Sequence, residues 1–172
     1  MSRPPIHPSH IIALHAAASI TPAGVVLFLG HAGAGKSTVA RLMAGHFPTL
    51  ADDAVFLLRQ EDGSWCVADG SRRAFRGPLS GDEAATLSGL PLRAVLRLYK
   101  GSAGRLERMG QRETCHHLAD AAFEIAWPKR AGTAEARKIF SAIAEISRLY
   151  PGWQLRHSRD QRTCDMVVRA FT

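Results

Sequence analysis

The chain has 172 residues, of which 46% are hydrophobic and 22% are charged. This length and composition predict one globular domain with a substantial core and exclude a disordered chain. A formal net charge of +7 suits an anionic partner such as a nucleotide. The arginines are spread along the sequence without interleaved aromatic residues, so nucleic acid is not expected as a partner.

Cysteine usage and hydropathy indicate where the protein works. Cys66, Cys115 and Cys164 are far apart and form no C-x-x-C pair, which predicts neither a disulfide framework nor a zinc site and fits the reducing cytoplasm. Polar residues interrupt the apolar stretch from Ile11 to Leu29, well short of the ~20 apolar residues that a membrane-spanning helix needs. We therefore expect a cytoplasmic protein with no membrane partner.

The N-terminal part predicts two strands. Residues 1–9 contain three prolines and little that could pack, so we expect a loose N-terminus. Apolar runs at Ile11–Ala18 and Val25–Leu29 are separated by a Thr-Pro-Ala-Gly turn, which predicts a hairpin rather than a parallel pair.

The second strand leads directly into a complete G-x-x-x-x-G-K-[ST] motif, Gly30–Ser37. In such a loop, small residues let successive backbone N–H groups surround a phosphate, Lys36 reaches the outer phosphates, and the Ser37 hydroxyl can bind Mg²⁺. The helix that follows, Ser37 to about Phe47, adds the positive end of its dipole. The predicted nucleotide-binding residues are Gly30, His31, Ala32, Gly33, Ala34, Gly35, Lys36, Ser37 and Thr38.

Two adjacent carboxylates, Asp52 and Asp53, stand one helix beyond the loop in the apolar run Leu50–Leu58. One could bind Mg²⁺ together with Ser37, and the other could accept a proton from an attacking hydroxyl. The alternative is that they cap and solvate an ordinary turn, as aspartates often do. The nearby loop favours the catalytic interpretation.

Patterns in the rest of the chain predict a hairpin, a long loop and further helices and strands. An Asp-Gly turn at residues 62–63 separates two β-prone runs. His116 and His117 are treated as ordinary helix surface, because neighbouring helical residues point in different directions. The predicted elements are the strand at 65–68, a loop at 72–90 with one helical turn near 82–85, a strand at 92–99, helices at 113–126 and 133–150, a strand at 153–157 and a helix at 165–171. The second long helix is expected to bury Ile139, Phe140, Ile143, Ile146 and Tyr150.

No repeat, linker or low-complexity tract divides the sequence, so residues 1–172 are expected to form one domain. The alternation of hairpins and helices predicts an α/β fold, with a mixed sheet and flanking helices.

At His15, Val25–Leu29, Gly30–Ser37 and Leu50–Val55, the sequence resembles the nucleotide core of the HPr kinase/phosphatase family. That family has a histidine ahead of its phosphate loop and an Ala-Asp-Asp strand start. The ATP-type phosphoenolpyruvate carboxykinases share a related core. The chain resembles the short HPr-kinase-like proteins of bacterial peptide-modification gene clusters more than the full-length enzymes, and the resemblance is specific over roughly residues 10 to 58.

This resemblance implies a P-loop kinase core with ATP and Mg²⁺ as cofactors. It implies a metal site at Ser37 and Asp53, and a general base at Asp52 assisted by His15, with Lys36 as a further catalytic residue. Without the resemblance, a lone histidine in an apolar strand is more often a core residue than a functional one. Ala32 and Thr38 depart from the family pattern, and 172 residues are too few for us to expect the separate N-terminal domain of the full enzymes, so HPr itself is not the expected substrate.

The leading hypothesis is an ATP-dependent kinase acting on a Ser or Thr hydroxyl of a peptide or small protein. One alternative is a small-metabolite kinase of the shikimate-kinase type, and another is a degenerate nucleotide-binding module that binds a partner. Antiparallel pairing of the two runs around the Asp-Gly turn would argue against the shikimate type, whose sheet is parallel. Assembly into a homo-oligomer stays open.

Overall fold

The computed structural model of the protein describes residues 10–76, 79–102, 104–126, 132–158 and 160–172. The predicted loose N-terminus, residues 1–9, lies outside the described residues. The strands are β1 (Ile11–Leu14), β2 (Ala17–Thr21), β3 (Gly24–Leu29), β4 (Thr49–Ala51), β5 (Val55–Arg59), β6 (Trp65–Asp69), β7 (Leu90–Lys100), β8 (Arg105–Arg108) and β9 (Gly152–His157). The helices are α1 (Lys36–Met43), α2 (Gly81–Thr86), α3 (Gln111–Ala126), α4 (Thr133–Leu149) and α5 (Gln161–Phe171).

The described strands form one mixed sheet in the order β1-β5-β6-β7-β3-β2-β4. Strand β9 also pairs with β7, and β8 pairs with β9. The pairings of β7 with β3 and with β9 are parallel, whereas the others in the described sheet are antiparallel. The predicted α/β class, with a mixed sheet and flanking helices, is confirmed.

Helices cover both faces of the sheet, and strand β3 shows why. Its side chains alternate, as strand geometry requires, so that Val25, Leu27 and Leu29 enter one core while Val26 and Phe28 enter the other. The first core is closed by α3 and α4, through residues such as Leu118 and Ile143. The second is closed by α1 and α5, through residues such as Met43 and Val167. Burial on both faces explains why the strand is continuously apolar.

Two predicted strands are interrupted at matching positions. Ile11–Ala18 forms β1 and β2, and Leu50–Leu58 forms β4 and β5, so the predicted boundaries are wrong there. Because β1 pairs with β5 and β2 pairs with β4, the gap at His15 lies opposite the gap that holds Asp52 and Asp53. The break has a physical cause, since the amide of His15 donates to the carbonyl of Ala121 in α3 instead of to a strand (2.9 Å).

Both predicted hairpins are observed. Strand β2 pairs antiparallel with β3, and β5 pairs antiparallel with β6. Gly63 has a φ of +81° in the second turn, where Asp62 accepts hydrogen bonds from both the amide and the hydroxyl of Ser64. Antiparallel β5–β6 pairing is the arrangement that differs from a shikimate-type parallel sheet.

Other boundaries need correction. Helix α1 ends at Met43 instead of near Phe47, and α5 begins at Gln161, where Asp160 accepts a hydrogen bond from the amide of Thr163. Strand β8 was not predicted. Phe140, expected in the buried stripe of α4, is 50% exposed. Among the described residues, no helix combines the length and the apolar character needed to cross a membrane.

Candidate active site

The glycine-rich loop, residues 30–37, joins β3 to α1 on the path that the sequence predicts. Gly33 and Gly35 have φ values of +77° and +100°, a left-handed conformation that glycine adopts without steric cost. Helix α1 then begins with no side-chain cap and no acidic residue in its first turn. Its first amides are therefore left for another acceptor, and the helix dipole makes an anion the favoured one.

His157 at the end of β9 supports the loop from the opposite side. Its Nε2 donates to the carbonyl of Ala34 over 2.8 Å, and the ring is 97% buried, at 3% exposure. A Cβ on Gly35 would lie only 2.7 Å from the His157 ring, so glycine is needed here for close approach as well as for its φ. No local sequence pattern indicates a role for His157, because its partner in the loop is distant along the chain.

Lys36 is the most buried charged residue of the loop, at 8% exposure. Its Nζ donates to the carbonyl of Gly30 over 2.7 Å, so the side chain folds back along the loop. Burial lowers the pKa of Lys36, the carboxylates of Glu124 and Asp53 act in the opposite direction, and the Arg97 charge lowers it further. Within the described residues, no carboxylate comes within ion-pairing distance of this ammonium group.

His15 joins two carboxylates beside this lysine. Its Nε2 lies 3.2 Å from Oδ1 of Asp53, and its Nδ1 contacts Oε2 of Glu124 on α3. The exposed ring of Phe75 meets the imidazole edge-on, with 6.2 Å between centroids. The gap between β1 and β2 thus places an imidazole between an acid of the sheet and an acid of the helix.

Asp52 and Asp53 differ in their surroundings, although they are neighbours in sequence. Asp53 contacts His15 and acts electrostatically on Lys36. Asp52 is exposed and makes no hydrogen bond or ion pair with any other residue that the structure describes. The structure therefore links Asp53, rather than Asp52, directly to the histidine.

Arg97 on β7 is the second buried cation near the loop. It is 5% exposed and pairs in register with Leu29, the residue immediately before the loop. Its guanidinium lies 5.5 Å from the centroid of the Tyr99 ring, whose hydroxyl is 3.3 Å from Nε2 of His117 on α3. The loop end of β3 and β7 therefore carries two buried positive charges on the side that faces α3.

His116, His117 and Asp120 on α3 bring three ligand atoms within 4.8 Å of one another. The two histidines were expected on the helix surface, but Asp120, one turn further on, lies 3.8 Å from Nε2 of His116 and 4.0 Å from Nδ1 of His117. Burial lowers the pKa of His117 to about 4, and the charge of Arg97 acts in the same direction. Because this positive charge also opposes a bound cation, we assign no metal to the cluster.

The arrangement suits a polyphosphate and a divalent cation. The uncapped helix start, the curled loop and buried Lys36 could together hold anionic oxygens. The hydroxyl of Ser37 and the carboxylate of Asp53 supply oxygen ligands of the type that Mg²⁺ prefers. Sequence reasoning named these residues but missed Glu124, Arg97 and His157. Glu124 and Arg97 lie far along the chain, in elements whose proximity to the loop cannot be predicted from a local motif.

Comparison with known proteins places the chain in one family. It belongs to the family described as SynChlorMet cassette protein ScmC, whose model matches residues 5–171. None of the curated proteins matches it. Among solved structures, the Hpr(Ser) kinase/phosphatase from Coxiella burnetii is similar over 76% of this chain and 87% of that chain, with 16% sequence identity and a TM-score of 0.37. A likeness at that level carries no argument about this protein's fold or activity.

Proposed function

We propose that the protein is an ATP-dependent kinase that transfers a phosphoryl group to a Ser or Thr hydroxyl of a peptide or small protein. We also propose that its core is of the HPr kinase and phosphoenolpyruvate carboxykinase type. The observation that carries the proposal is the bridge of His15 between Asp53 and Glu124 next to Lys36. A nucleotide site needs only the loop, whereas a phosphotransfer site also needs carboxylates and a positioned base beside it.

The cofactors fit the residues present. ATP would bind on residues 30–38, and Mg²⁺ would bind at Ser37 and Asp53, where it would neutralise charge on the phosphate oxygens. His15 would orient Asp53 through their 3.2 Å contact, as outer-shell groups orient metal-binding carboxylates. Lys36 would leave the carbonyl of Gly30 to contact the outer phosphates.

Asp52 is proposed as the general base because its carboxylate is exposed and is not engaged by the described neighbours. The acceptor oxygen would form a bond to the terminal phosphorus, the bond from that phosphorus to the bridging oxygen would break, and ADP would leave. The hydroxyl proton would pass to Asp52. Glu124, which also contacts His15, is the second candidate for this role.

The test is a transfer assay with radiolabelled ATP, Mg²⁺, the peptides encoded in the same gene cassette and a degenerate Ser/Thr peptide library. We expect phosphoserine or phosphothreonine in one of these peptides. Asp52→Asn should lower the rate about 10²- to 10⁴-fold, and His15→Gln about 10- to 100-fold, with little change in ATP affinity. Asp82→Asn, on the exposed start of α2, is the matched control and should retain the rate.

The outcomes separate the alternatives. Loss of activity in Glu124→Gln but not in Asp52→Asn would transfer the base role to Glu124. Nucleotide binding without transfer to any hydroxyl, together with peptide binding that is independent of Asp52, would contradict the kinase and favour the binding module. Transfer to a small metabolite alone would favour the metabolite kinase.

A further inference from the structure

Arg97 lies between the glycine-rich loop and α3. Along β7, Val95 enters the core under α3 and α4, whereas Leu96 and Leu98 enter the opposite core. Because strand side chains alternate, Arg97 shares the face of Val95. Its register partner is Leu29, so the Arg97 side chain leaves the backbone beside the residue that precedes the loop.

No acid of the described residues pairs with this guanidinium. Arg97 is 5% exposed, its Nε is buried without a hydrogen-bond partner, and no carboxylate of the described residues reaches ion-pairing distance. An arginine side chain stays charged at any physiological pH, so the fold bears the cost of a buried charge that, among the described contacts, the Tyr99 ring at 5.5 Å offsets only in part. Such a cost indicates that the site is built for a ligand that supplies the missing negative charge.

The neighbours of Arg97 indicate that this ligand is an anion and that it binds beside the glycine-rich loop. The Arg97 guanidinium lies 5.5 Å from the centroid of the Tyr99 ring, whose hydroxyl is 3.3 Å from Nε2 of His117 in α3. Arg97 is also in register with Leu29, next to the Gly30 carbonyl that accepts from Lys36, and its charge acts on both Lys36 and His117. Lys36 is cationic and, like Arg97, has no carboxylate of the described residues at ion-pairing distance. Two buried cations that converge beside a glycine-rich loop create a positive potential, and a phosphate with its several oxygens can accept from both.

We propose that Arg97 binds the terminal phosphoryl group of the bound nucleoside triphosphate and thereby makes the site selective for triphosphate over diphosphate. This inference rests on the proposed function, because it requires a nucleotide on the loop. Arg97 lies on β7, the parallel strand next to β3, opposite the carboxyl end of β3 at Leu29, and the carboxyl ends of parallel strands form the edge where ligands bind. The ADP portion would stay with the loop and the start of α1, while the terminal group would reach Arg97.

The experiment measures calorimetric affinity for ADP and for the non-hydrolysable β,γ-imido analogue of ATP, both with Mg²⁺. Arg97→Met should weaken the analogue about 10- to 100-fold, the value of a charge-assisted hydrogen bond, and change ADP affinity less than about threefold. Arg97→Lys should lie between the wild type and Arg97→Met, because the charge remains but the planar fork is lost. Arg93→Met is the matched control, since Arg93 is exposed on the same strand, and both affinities should persist.

Thermal unfolding without ligand provides a second readout. Removing a buried charge that has no carboxylate partner among the described residues should raise the Tm of Arg97→Met above that of the wild type. An arginine that merely holds the fold would give the opposite sign. Equal weakening of both nucleotides, or a lowered Tm with unchanged selectivity, would overturn the proposal while leaving the nucleotide site intact. Absence of nucleotide binding by the wild-type protein would overturn both this inference and the proposed function.

Discussion

The charged residues near the two ends of β5 differ in whether they are paired with a carboxylate. At the far end, Arg59 forms two hydrogen bonds with Glu145 of α4, at 2.8 and 2.9 Å. At the near end, beside Asp53, the loop region holds Lys36 and Arg97 without a carboxylate of the described residues at that distance. The Arg59 charge, at the far end, is neutralised by a carboxylate of the same chain, as in a structural ion pair.

At the second end the two cations have no carboxylate partner among the described residues, although they are more deeply buried than Arg59. Lys36 and Arg97 are 8% and 5% exposed, whereas the Arg59 side chain is 29% exposed. Charges are least tolerable where burial is greatest, so their retention in the loop region indicates ligand binding rather than stability.

The largest effect is expected from Lys36→Met. If Lys36 and Arg97 bind phosphate groups, this change should weaken nucleotide affinity by at least about 100-fold, because a charged contact to the phosphates is lost. Isothermal calorimetry would measure it. Lys100→Met, at the exposed end of β7, is the matched control and should bind as the wild type does. Equal affinity in both variants would place the nucleotide elsewhere.

A pH effect of intermediate size should come from His117. Its pKa is about 4 in the fold, mainly because of burial, against an ordinary value of 6.5 in the unfolded chain. The unfolded state therefore binds more protons between these values, so this contribution to stability is complete above pH 6.5 and decreases as the pH falls toward 4. The expected loss is about 2 kcal/mol between pH 8 and pH 5.

Urea unfolding of the wild type and His117→Gln across this range checks the expectation, and the variant should show the flatter profile. Arg97→Met should also reduce the slope, because the Arg97 charge contributes to the low pKa of His117. Direct titration of the His117 ring by NMR gives a readout that does not depend on the variants. A ring that titrates near 6.5 would contradict the positive environment described for this face of the sheet.

The smallest effect is expected at the far end of β5. Glu145→Gln should lower the Tm by a few degrees, since a partly exposed ion pair contributes little, and should leave nucleotide affinity unchanged. Because Arg97→Met is expected to raise the Tm, the two variants should shift the Tm in opposite directions. A raised Tm for Glu145→Gln would show that the two ends do not differ as proposed.

The sequence predicted the local parts of this molecule. The loop at residues 30–37, the Asp-Gly hairpin and the two long helices follow from spacing and turn chemistry that act over a few residues. The strand breaks at His15 and at Asp52 could not be predicted in this way. They depend on a hydrogen bond from His15 to Ala121 in α3, which joins segments remote in sequence.

The site shows the same division. His15, Lys36 and Asp53 were recognisable from a motif and a resemblance, and the structure brings them together. Glu124 and Arg97 were not, because a glutamate on a helix and an arginine in a strand resemble ordinary surface charges until their partners are known. A signal was nevertheless present, since Arg97 interrupts the otherwise apolar run from Ala94 to Leu98.

Strand β7 also joins distant parts of the chain. Leu96 pairs with Phe28 on one side and with Trp153 on the other, so the centre of the sheet joins segments from the beginning, middle and end of the chain. Pairings of such high contact order slow folding. A fragment that ends before β9 would carry the complete loop motif without His157, whose ring supports the loop through the carbonyl of Ala34.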